Sequence, residues 1–293
     1  MSTPHRLRVL VLVLLFAALP SVSLAQLIAY DNFSGYSAVG LNGQGTGLGF
    51  GWTSNWSTGQ PGNFTADPGS GLTYAGLTTE TGLISASPSG NAGVGRDFAP
   101  VGSGTVYFGA LVQYYDTASV IRIFALGDDG TTNHAGGVML GQMDGSHVWS
   151  AETTYQYIST DPYTGDYANY RYGSNSAIGV TTAPTYLVGK IEFNTSGSSD
   201  SMYLWVNPTS AAELQNNATA NASLVNPYDI GNVSHFSVYL NTTYGGGSSG
   251  FALDEVRVAT DANLMFGTIP EPSAWTALAG LAALGFALRR RSA

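Results

Sequence analysis

The 293-residue chain contains no cysteine. Disulfide bonds and thiolate metal sites are therefore excluded, and a hydrophobic core must hold the fold together. A chain of this length can bury such a core without cross-links. Seventeen tyrosines and twelve phenylalanines supply large apolar side chains and argue against intrinsic disorder.

Basic residues are scarce once the two ends of the chain are set apart. The sequence has 10 Lys and Arg and 19 Asp and Glu. Five of the arginines and one glutamate lie within residues 1–25 and 268–293, which leaves the body with five basic and eighteen acidic residues, a net charge of −13. Nucleic-acid binding through phosphate contacts is excluded, and an acidic polysaccharide would be repelled unless a divalent cation bridged it.

The acidic residues also lack the spacing of a sandwich glycosidase. Such enzymes place carboxylates on one face of a strand, two or four positions apart. No two Asp or Glu residues have either separation, and the adjacent Asp254 and Glu255 are predicted to point to opposite faces. The sequence therefore predicts no catalytic residues. A carboxylate pair assembled from separate strands stays open as an alternative.

No metal or cofactor site is predicted. The histidines of the body, His134, His147 and His235, lack the spacing of a metal-ligand pair and are expected to be hydrogen-bonded sheet or loop residues. Asp128–Asp129 and Asn133 offer oxygens to calcium, but a turn supplies about three of the six to eight that calcium takes. A solvated turn is the favoured interpretation, with calcium as the alternative.

The first 25 residues are predicted to be a signal peptide. Arg6 and Arg8 precede an apolar run from Val9 to Leu19, and small residues at positions 23 and 25 suit signal peptidase. Cleavage is expected after Ala25. The alternative of an uncleaved anchor is disfavoured, because the apolar run of this signal helix is too short to span a bilayer.

The last residues, 268–293, are predicted to be a sorting and anchor segment. A proline-rich breaker is followed by an apolar run of fourteen residues, from Trp275 to Leu288, and then by a basic end. Because a comfortable span needs about 20 apolar residues, this is a short transmembrane helix, with its arginines on the cytoplasmic side. The residues that define the cassette are Pro270, Glu271, Pro272, Arg289, Arg290 and Arg291.

This arrangement resembles the PEP-CTERM tail of exported Gram-negative proteins. The resemblance implies that an exosortase-type processing enzyme recognises the tail and cleaves near Pro270–Pro272, after a transient stay in the inner membrane. It further implies a cell-surface or extracellular protein from an organism that makes exopolysaccharide. The alternative is a permanently membrane-anchored surface domain whose tail is never cut.

The body, residues 26–267, is predicted to be one all-β, two-sheet jelly-roll sandwich. Short apolar runs alternate with turn residues, and no long amphipathic helix occurs. The strongest hairpin joins Tyr186–Asn194 to Ser201–Asn207, and Leu72–Tyr74 and Val233–Leu240 are further predicted strands. Asp144–Gly145 indicates a two-residue hairpin turn, and Ala211–Leu214 suits one helical turn. The tyrosine-rich stretch from Tyr155 to Tyr172 is expected to be an exposed loop or an irregular edge.

Four motifs of the body look like concanavalin A-like, laminin-G-type jelly rolls of exported proteins with PEP-CTERM tails. They are Asp31-Asn-Phe33 with Trp52 and Trp56, Tyr186–Asn194, Leu204–Pro208, and Ala252–Val258. The resemblance supports the fold and names no activity.

The function expected from the sequence is a non-enzymatic surface or extracellular-matrix protein with a structural or adhesive role. Tyrosines between Tyr155 and Tyr172 could stack on sugar rings, so an extracellular polysaccharide is the candidate ligand. A polysaccharide-active hydrolase or lyase on the same fold is the alternative.

Overall fold

The structure is a computed structural model. It describes residues 26–58, 64–77, 79–86, 92–115, 122–127, 137–142, 148–157, 168–194, 199–225, 229–240, 250–267 and 269. The predicted signal helix and the predicted C-terminal transmembrane helix lie outside these ranges. The described residues belong to the predicted body, apart from Ile269, which is the second residue of the predicted tail.

Strands make up most of the described chain. The fifteen strands found there are β1 (Leu27–Asp31), β2 (Ser57–Thr58), β3 (Phe64–Asp67), β4 (Leu83–Ala86), β5 (Ala92–Val101), β6 (Gly104–Tyr114), β7 (Arg122–Gly127), β8 (Gly137–Gln142), β9 (Val148–Tyr157), β10 (Ala168–Gly179), β11 (Thr185–Phe193), β12 (Ser201–Val206), β13 (Ala222–Val225), β14 (Val233–Leu240) and β15 (Phe251–Ala259). A short helix, α1 (Ala211–Gln215), and two 3₁₀ turns, Asn217–Thr219 and Ala262–Met265, complete the elements.

The strands form two antiparallel sheets. The eight-stranded sheet has the order β13-β12-β11-β6-β15-β4-β3, and β1 pairs with the second half of β15. The seven-stranded sheet has the order β10-β9-β8-β7-β14-β5-β2. Neighbouring strands such as β6 and β15 are far apart in sequence, as the long connections of a jelly roll require. The prediction of an all-β, two-sheet jelly-roll sandwich is confirmed.

The main core lies between the sheets. Along β6 the side chains alternate, so that Val106, Phe108 and Val112 face the core while Tyr107 and Leu111 face outward. The outward-facing residues belong to a second apolar cluster, which is covered by α1 and the 3₁₀ turn Ala262–Met265. The central strands of the eight-stranded sheet are therefore buried on both faces.

Most sequence-predicted elements are confirmed, and three are corrected. The hairpin of β11 and β12, strand β14 and the turn of α1 lie where the sequence placed them. Residues 72–74 form no strand. Of the tyrosine-rich stretch, residues 155–157 and 168–172 belong to β9 and β10, which pair regularly there with β10 at the sheet edge, while residues 158–167 are not described. A two-residue turn at Asp144–Gly145 would place Gln142 opposite His147, whereas Gln142 pairs with Trp149; residues 143–147 are not described.

Candidate functional site

A buried network surrounds Arg96, which projects from β5 into the space between the sheets. Its guanidinium is 2% exposed and forms an ion pair with Asp31 at the end of β1, with Nη1 and Oδ2 2.7 Å apart. The hydroxyl of Tyr36 donates to Asp31 Oδ2 at 2.5 Å and accepts from Arg96 Nη1 at 2.9 Å. The indole of Trp56 donates to the Tyr36 hydroxyl at 2.9 Å. Because β1 and β5 belong to different sheets, this pair joins the two layers of the sandwich.

Arg96 also holds the opening loop, residues 32–56. Its Nε donates to the carbonyl oxygen of Ser54 at 2.8 Å, and its Nη2 donates to the carbonyl oxygens of Leu48, at 2.9 Å, and Gly45. Together with the ion pair and the tyrosine contact, these bonds use all five N–H groups of a guanidinium. The loop is therefore folded around one buried cation.

Glycine lets the opening loop approach β1 closely. Gly51 has a φ of +76°, and a Cβ atom there would lie 1.8 Å from the carbonyl oxygen of Ile28. Beside it, Phe50 and Tyr30 exchange two backbone hydrogen bonds of 2.8 and 2.9 Å. Only a residue without Cβ fits this conformation and this contact, which accounts for one of the glycines that punctuate the segment.

A β-bulge interrupts β15 at its acidic pair. The register with β6 passes from Asp254 opposite Leu111 to Arg257 opposite Gly109, so β15 contains one extra residue. Glu255 has a φ of +53°, in the left-handed region that non-glycine residues rarely adopt. Such strain, roughly 1–3 kcal/mol, persists only where surrounding contacts fix it.

The bulge brings both carboxylates to the outer face of the eight-stranded sheet. Oδ2 of Asp254 accepts from the backbone N–H of Leu72 at 2.9 Å, and Oε1 of Glu255 accepts from the hydroxyl of Tyr30 at 3.2 Å. Leu72 and Tyr30 both belong to the outer apolar cluster. The prediction that Asp254 and Glu255 point to opposite faces is wrong, because side chains alternate only along a regular strand.

A second buried network surrounds Arg257 on this outer face. Its Nη2 lies 2.8 Å from Oε2 of Glu255, and both side chains are fully buried. Its Nη1 donates to the carbonyl oxygens of Gly267 at 3.0 Å and Leu264 at 3.4 Å. The guanidinium lies 5.5 Å from the ring centroid of Tyr30. Arg257 thus fastens the chain that leaves β15.

Burial raises the pKa of each carboxylate in these networks. Desolvation raises the pKa of Asp254 to about 8, although two backbone N–H groups bond to it, and the nearby charge of Glu255 acts in the same direction. Burial also raises the pKa of Glu255 against the attraction of Arg257. It raises the pKa of Asp31 against the Tyr36 hydrogen bond and the charge of Arg96.

A cleft of about 170 Å³ opens where β1, the opening loop and the end of the body meet. It is smaller than the roughly 300–1,000 Å³ of pockets that enclose a drug-sized ligand, so it suits one small ring. Its walls combine aromatic rings, glycine backbone and a few polar groups. The lining residues are Tyr30, Asn32, Ser34, Gly35, Tyr36, Gly47, Leu48, Gly49, Phe50, Glu80 and Ile269.

Two planar polar side chains face each other in the cleft. The amide Nδ2 of Asn32 donates to Oε2 of Glu80 at 2.5 Å, and both residues are partly exposed. The backbone N–H of Glu80 donates to Oε1 of Glu255 at 3.2 Å, so the bulge in β15 positions the Glu80 segment. Among the described residues, Glu80 is the one carboxylate that lines the cleft. The arrangement can exchange hydrogen bonds with hydroxyl groups while an aromatic ring covers an apolar face.

His235 lies on the outer face of the seven-stranded sheet, away from the cleft lining. Its Nδ1 is 2.6 Å from Oδ1 of Asp97 on the neighbouring strand, and the Asp97 side chain is 47% exposed. The imidazole lies over Gly95, where an added Cβ would be 2.1 Å from its Nε2. The prediction of a hydrogen-bonded sheet histidine is confirmed for His235.

The structure describes few of the residues that the sequence marked as sites. The processing residues Ala25, Pro270, Glu271, Pro272, Arg289, Arg290 and Arg291 lie outside the described ranges, as do His134, His147, Asp128, Asp129 and Asn133. Within those ranges, no group of three or more histidine or acidic residues is arranged to hold a metal ion.

The sequence did not mark Arg96, Tyr36, Asn32 or Glu80 as site residues. The signal for Asn32 was its place in the Asp31-Asn-Phe33 motif.

Comparison with protein families identifies a sorting motif at the C-terminal end of the chain. Residues 268–291 match the PEP-CTERM protein-sorting motif. The match indicates an exported protein that carries a membrane-associated sorting signal for an exosortase-type enzyme. Within the part of the chain that the structure describes, no helix reaches the length and hydrophobicity that a membrane span needs.

No curated protein matches the chain. Among solved structures, LamAcat from Zobellia galactanivorans is 16% identical, with a TM-score of 0.38 over 61% of this chain and 78% of its own. A family 16 glycosyl hydrolase from Mycobacterium smegmatis is 13% identical, with a TM-score of 0.42 over 80% of this chain and 100% of its own. The binding domain of botulinum neurotoxin DC is 10% identical, with a TM-score of 0.42 over 78% of this chain and 50% of its own. These similarities are ones of fold.

Proposed function

We propose that this protein is a non-enzymatic component of the cell surface or extracellular matrix, sorted through its PEP-CTERM tail, whose body binds a neutral saccharide in the cleft. The observation that carries the proposal is the pairing of Asn32 and Glu80 beside Phe50 and Tyr30. An amide and a carboxylate side by side suit vicinal hydroxyl groups, and a ring face suits the C–H face of a sugar.

Charge selects the kind of saccharide. The body has a net charge of −13 by sequence, and the cleft adds the carboxylate of Glu80. An anionic sugar would be repelled at this site, whereas a neutral one loses nothing to electrostatics. The ligand class is therefore a neutral polysaccharide, bound through one ring at a time.

The buried carboxylates already take part in ion pairs and hydrogen bonds within the fold, which supports a binding role for the protein over a catalytic one. Retaining glycosidases need two carboxyl groups about 5–5.5 Å apart, and inverting ones about 6.5–9.5 Å apart, with access to substrate. Asp31 and Glu255 are held by arginines, and Asp254 is fully buried beneath Leu72. Among the described residues Glu80 alone lines the cleft with a carboxylate, so a hydrolase or lyase acting there would need a second carboxylate that reaches the cleft.

Saccharide binding by the purified full-length protein in detergent tests the proposal. A glycan array carrying neutral and acidic polysaccharides should give signals on neutral glycans. Asn32→Ala should lower the affinity at least about tenfold, because the variant leaves hydroxyl groups of the bound sugar unpaired. Glu213→Gln, in α1, is the matched control and should bind as the unaltered protein does.

Three outcomes count against the proposal. Equal binding by Asn32→Ala and by the unaltered protein would remove the cleft as the site. Binding confined to acidic glycans would contradict the charge argument. New reducing ends appearing during incubation with polysaccharide would establish the hydrolase alternative instead.

A further inference from the structure

A lysine, a glutamate and an asparagine meet on the outer face of the eight-stranded sheet. Lys190 and Glu192 lie two positions apart on β11, so their side chains share one face, and Asn217 begins the 3₁₀ turn that follows α1. Nζ of Lys190 lies 2.7 Å from Oε1 of Glu192 and also donates to Oδ1 of Asn217. Nδ2 of Asn217 donates to both carboxylate oxygens of Glu192, at 3.2 Å each. Each of the three groups therefore contacts the other two.

Aromatic rings enclose the amine of Lys190. Its Nζ lies 5.0 Å from the ring centroid of Tyr203, 5.7 Å from that of Trp205 and 5.9 Å from that of Tyr107. The Lys190 side chain is 3% exposed, whereas the Glu192 side chain is 38% exposed. The amine is thus shielded from water, while its carboxylate partner can exchange protons with the solvent.

Hydrogen bonds fix the turn that carries Asn217. The indole of Trp205 donates to Oγ1 of Thr219 at 3.0 Å, and that hydroxyl donates to the carbonyl oxygen of Asn216 at 2.8 Å. The side chain of Asn216 accepts from the backbone N–H of Ala218 at 3.2 Å. The turn therefore holds the amide of Asn217 beside the lysine. Such fixed proximity makes a reaction between two groups effectively unimolecular.

The three groups are those that amide formation between a lysine and an asparagine requires. An amine attacks an amide carbon only after losing a proton, and the amide nitrogen leaves only after gaining one. Glu192 contacts both nitrogens, so one carboxylate can take protons from Nζ and deliver them to Nδ2. Desolvation raises the pKa of Glu192, but hydrogen bonds from Lys190 and Asn217 outweigh it and lower the pKa overall. The reaction therefore starts from a charged pair, and it has only one turnover to complete.

We propose that Lys190 and Asn217 form an intramolecular isopeptide bond, with Glu192 as the catalytic base and acid. After Nζ has lost a proton it attacks Cγ of Asn217, the Nζ–Cγ bond forms, and the Cγ–Nδ2 bond breaks. Two protons in all leave Nζ by way of Glu192 and arrive on Nδ2, which departs as ammonium. The reaction uses no oxidant, cofactor or ligand, and it does not rest on saccharide binding in the cleft.

The bond gives a chain without cysteine a covalent cross-link. It joins β11, inside the eight-stranded sheet, to the connection between β12 and β13, and its two ends are 27 positions apart in the sequence. A cross-link that closes a loop restricts the unfolded chain and so favours the folded one. Unlike a disulfide, this link is not opened by thiol exchange.

Trypsin digestion of the purified, denatured full-length protein detects the bond. Lys190 is the one trypsin site between Arg171 and Arg257, so an unlinked chain is cut there into peptides 172–190 and 191–257. Trypsin does not cut after a lysine whose Nζ belongs to an amide. The linked chain should therefore give one uncut peptide, lighter than its sequence mass by about 17 Da, the mass of ammonia.

A glutamate-specific protease then locates the second end of the link. It cuts the tryptic peptide after Glu192 and after Glu213. A bond between Lys190 and Asn217 should free residues 193–213 while the pieces on either side stay joined. Fragmentation of the joined pieces in the mass spectrometer should place the lost ammonia at Asn217.

Variants separate the roles of the three residues. Lys190→Met and Asn217→Ala should give peptides of full sequence mass, because one reacting group is absent. Glu192→Met keeps the length of the side chain but carries no proton, so the linked fraction at a fixed time after synthesis should fall at least about a hundredfold. Asn263→Ala is the matched control, since it removes an asparagine that bonds Asp261 in the other 3₁₀ turn, and it should stay fully linked.

The unaltered protein decides the proposal. Separate peptides 172–190 and 191–257 would overturn it, and so would a branched peptide whose second end is a different asparagine. Equal linkage in Glu192→Met and in the unaltered chain would remove the catalytic role of Glu192. A single peptide about 17 Da light in the unaltered chain, with full mass in Asn217→Ala, supports the bond.

Discussion

Arg96 and Arg257 occupy two networks built from the same parts. Each guanidinium is buried, pairs with one buried carboxylate, lies near an aromatic ring and donates to carbonyl oxygens of a chain segment without regular structure. Arg96 holds the opening loop, and Arg257 holds residues 260–267, the C-terminal strap that follows β15. At both ends of the body, a buried arginine thus fixes a segment of backbone that lies outside the strands.

The two networks differ in what they join. The partner of Arg96, Asp31, comes from the opposite sheet, whereas the partner of Arg257, Glu255, lies two residues away on the same strand. Loss of Arg96 therefore affects contact between the layers, and loss of Arg257 affects a segment laid on one of them. The comparison separates a network that joins the two sheets from one that fixes the segment leaving β15.

The largest effect is expected for Arg96→Met. Breaking a buried ion pair by removing one partner typically costs about 3–5 kcal/mol, because the remaining charge stays buried. Asp31 and the carbonyl groups of the opening loop would all lose the guanidinium as a donor. The free energy of unfolding, measured by urea denaturation, should fall by about 4 kcal/mol.

The double variant Arg96→Met with Asp31→Asn controls for the stranded charge. A neutral amide at position 31 can still accept from the backbone N–H of Phe33 and contact the Tyr36 hydroxyl. It should recover about 1–3 kcal/mol of the loss. A single variant within about 1 kcal/mol of the unaltered protein would show that the network contributes little.

A smaller effect, about 3 kcal/mol, is expected for Arg257→Met, which strands Glu255 on the outer face. Hydrogen exchange should separate the two variants. Amides of the strap, such as Leu264 and Phe266, should lose protection in Arg257→Met far more than amides of β11 and β12. In Arg96→Met the loss should extend through both sheets.

Glu255→Gln together with Arg257→Met is the matching control. It should restore part of the stability but none of the strap protection, because the donors to Leu264 and Gly267 stay absent. Uniform loss of protection over both sheets in Arg257→Met would erase the distinction between the two networks.

The fold was largely predictable because strand patterns are local. β14 and the hairpin of β11 and β12 carry Val, Ile, Tyr and Phe in short runs bounded by polar turns, and each forms as predicted. β5 was missed, because Gly93, Gly95 and Arg96 interrupt the apolar pattern. An arginine that faces the core breaks the usual alternation of apolar and polar residues along a strand. Its carboxylate partner is distant in the sequence, so no local pattern indicates the pairing.

The candidate site was predictable only in outline. The motifs Asp31-Asn-Phe33 and Ala252–Val258 were marked as features of the fold, and their members do form the two networks and one wall of the cleft. The bulge at Glu255 was not visible, because an extra residue in a strand depends on the register with β6. Consequently the prediction that the two acidic side chains point to opposite faces of the strand was wrong.

Asp254 is a further buried carboxylate, and its described partners are backbone N–H groups instead of an arginine. Burial raises its pKa from 3.8 to about 8. Between these pH values the unfolded chain releases a proton that the folded protein keeps. The contribution of Asp254 to stability should therefore be greatest below about pH 4 and fall as pH rises toward 8, by at most about 1.4 kcal/mol per pH unit.

The Asp254→Asn variant tests whether the buried carboxyl group causes this pH dependence. Its effect on stability should be smaller than the effects of the two arginine variants. At pH 4.5 the variant should be less stable than the unaltered protein by about 1 kcal/mol, because its amide cannot accept both backbone hydrogen bonds. The difference should then shift in its favour as pH rises, because asparagine does not ionise. Urea denaturation at pH 4.5, 6 and 7.5 measures both curves. Parallel curves would mean that the two backbone N–H groups stabilise a charged Asp254 as fully as an arginine stabilises Asp31 or Glu255.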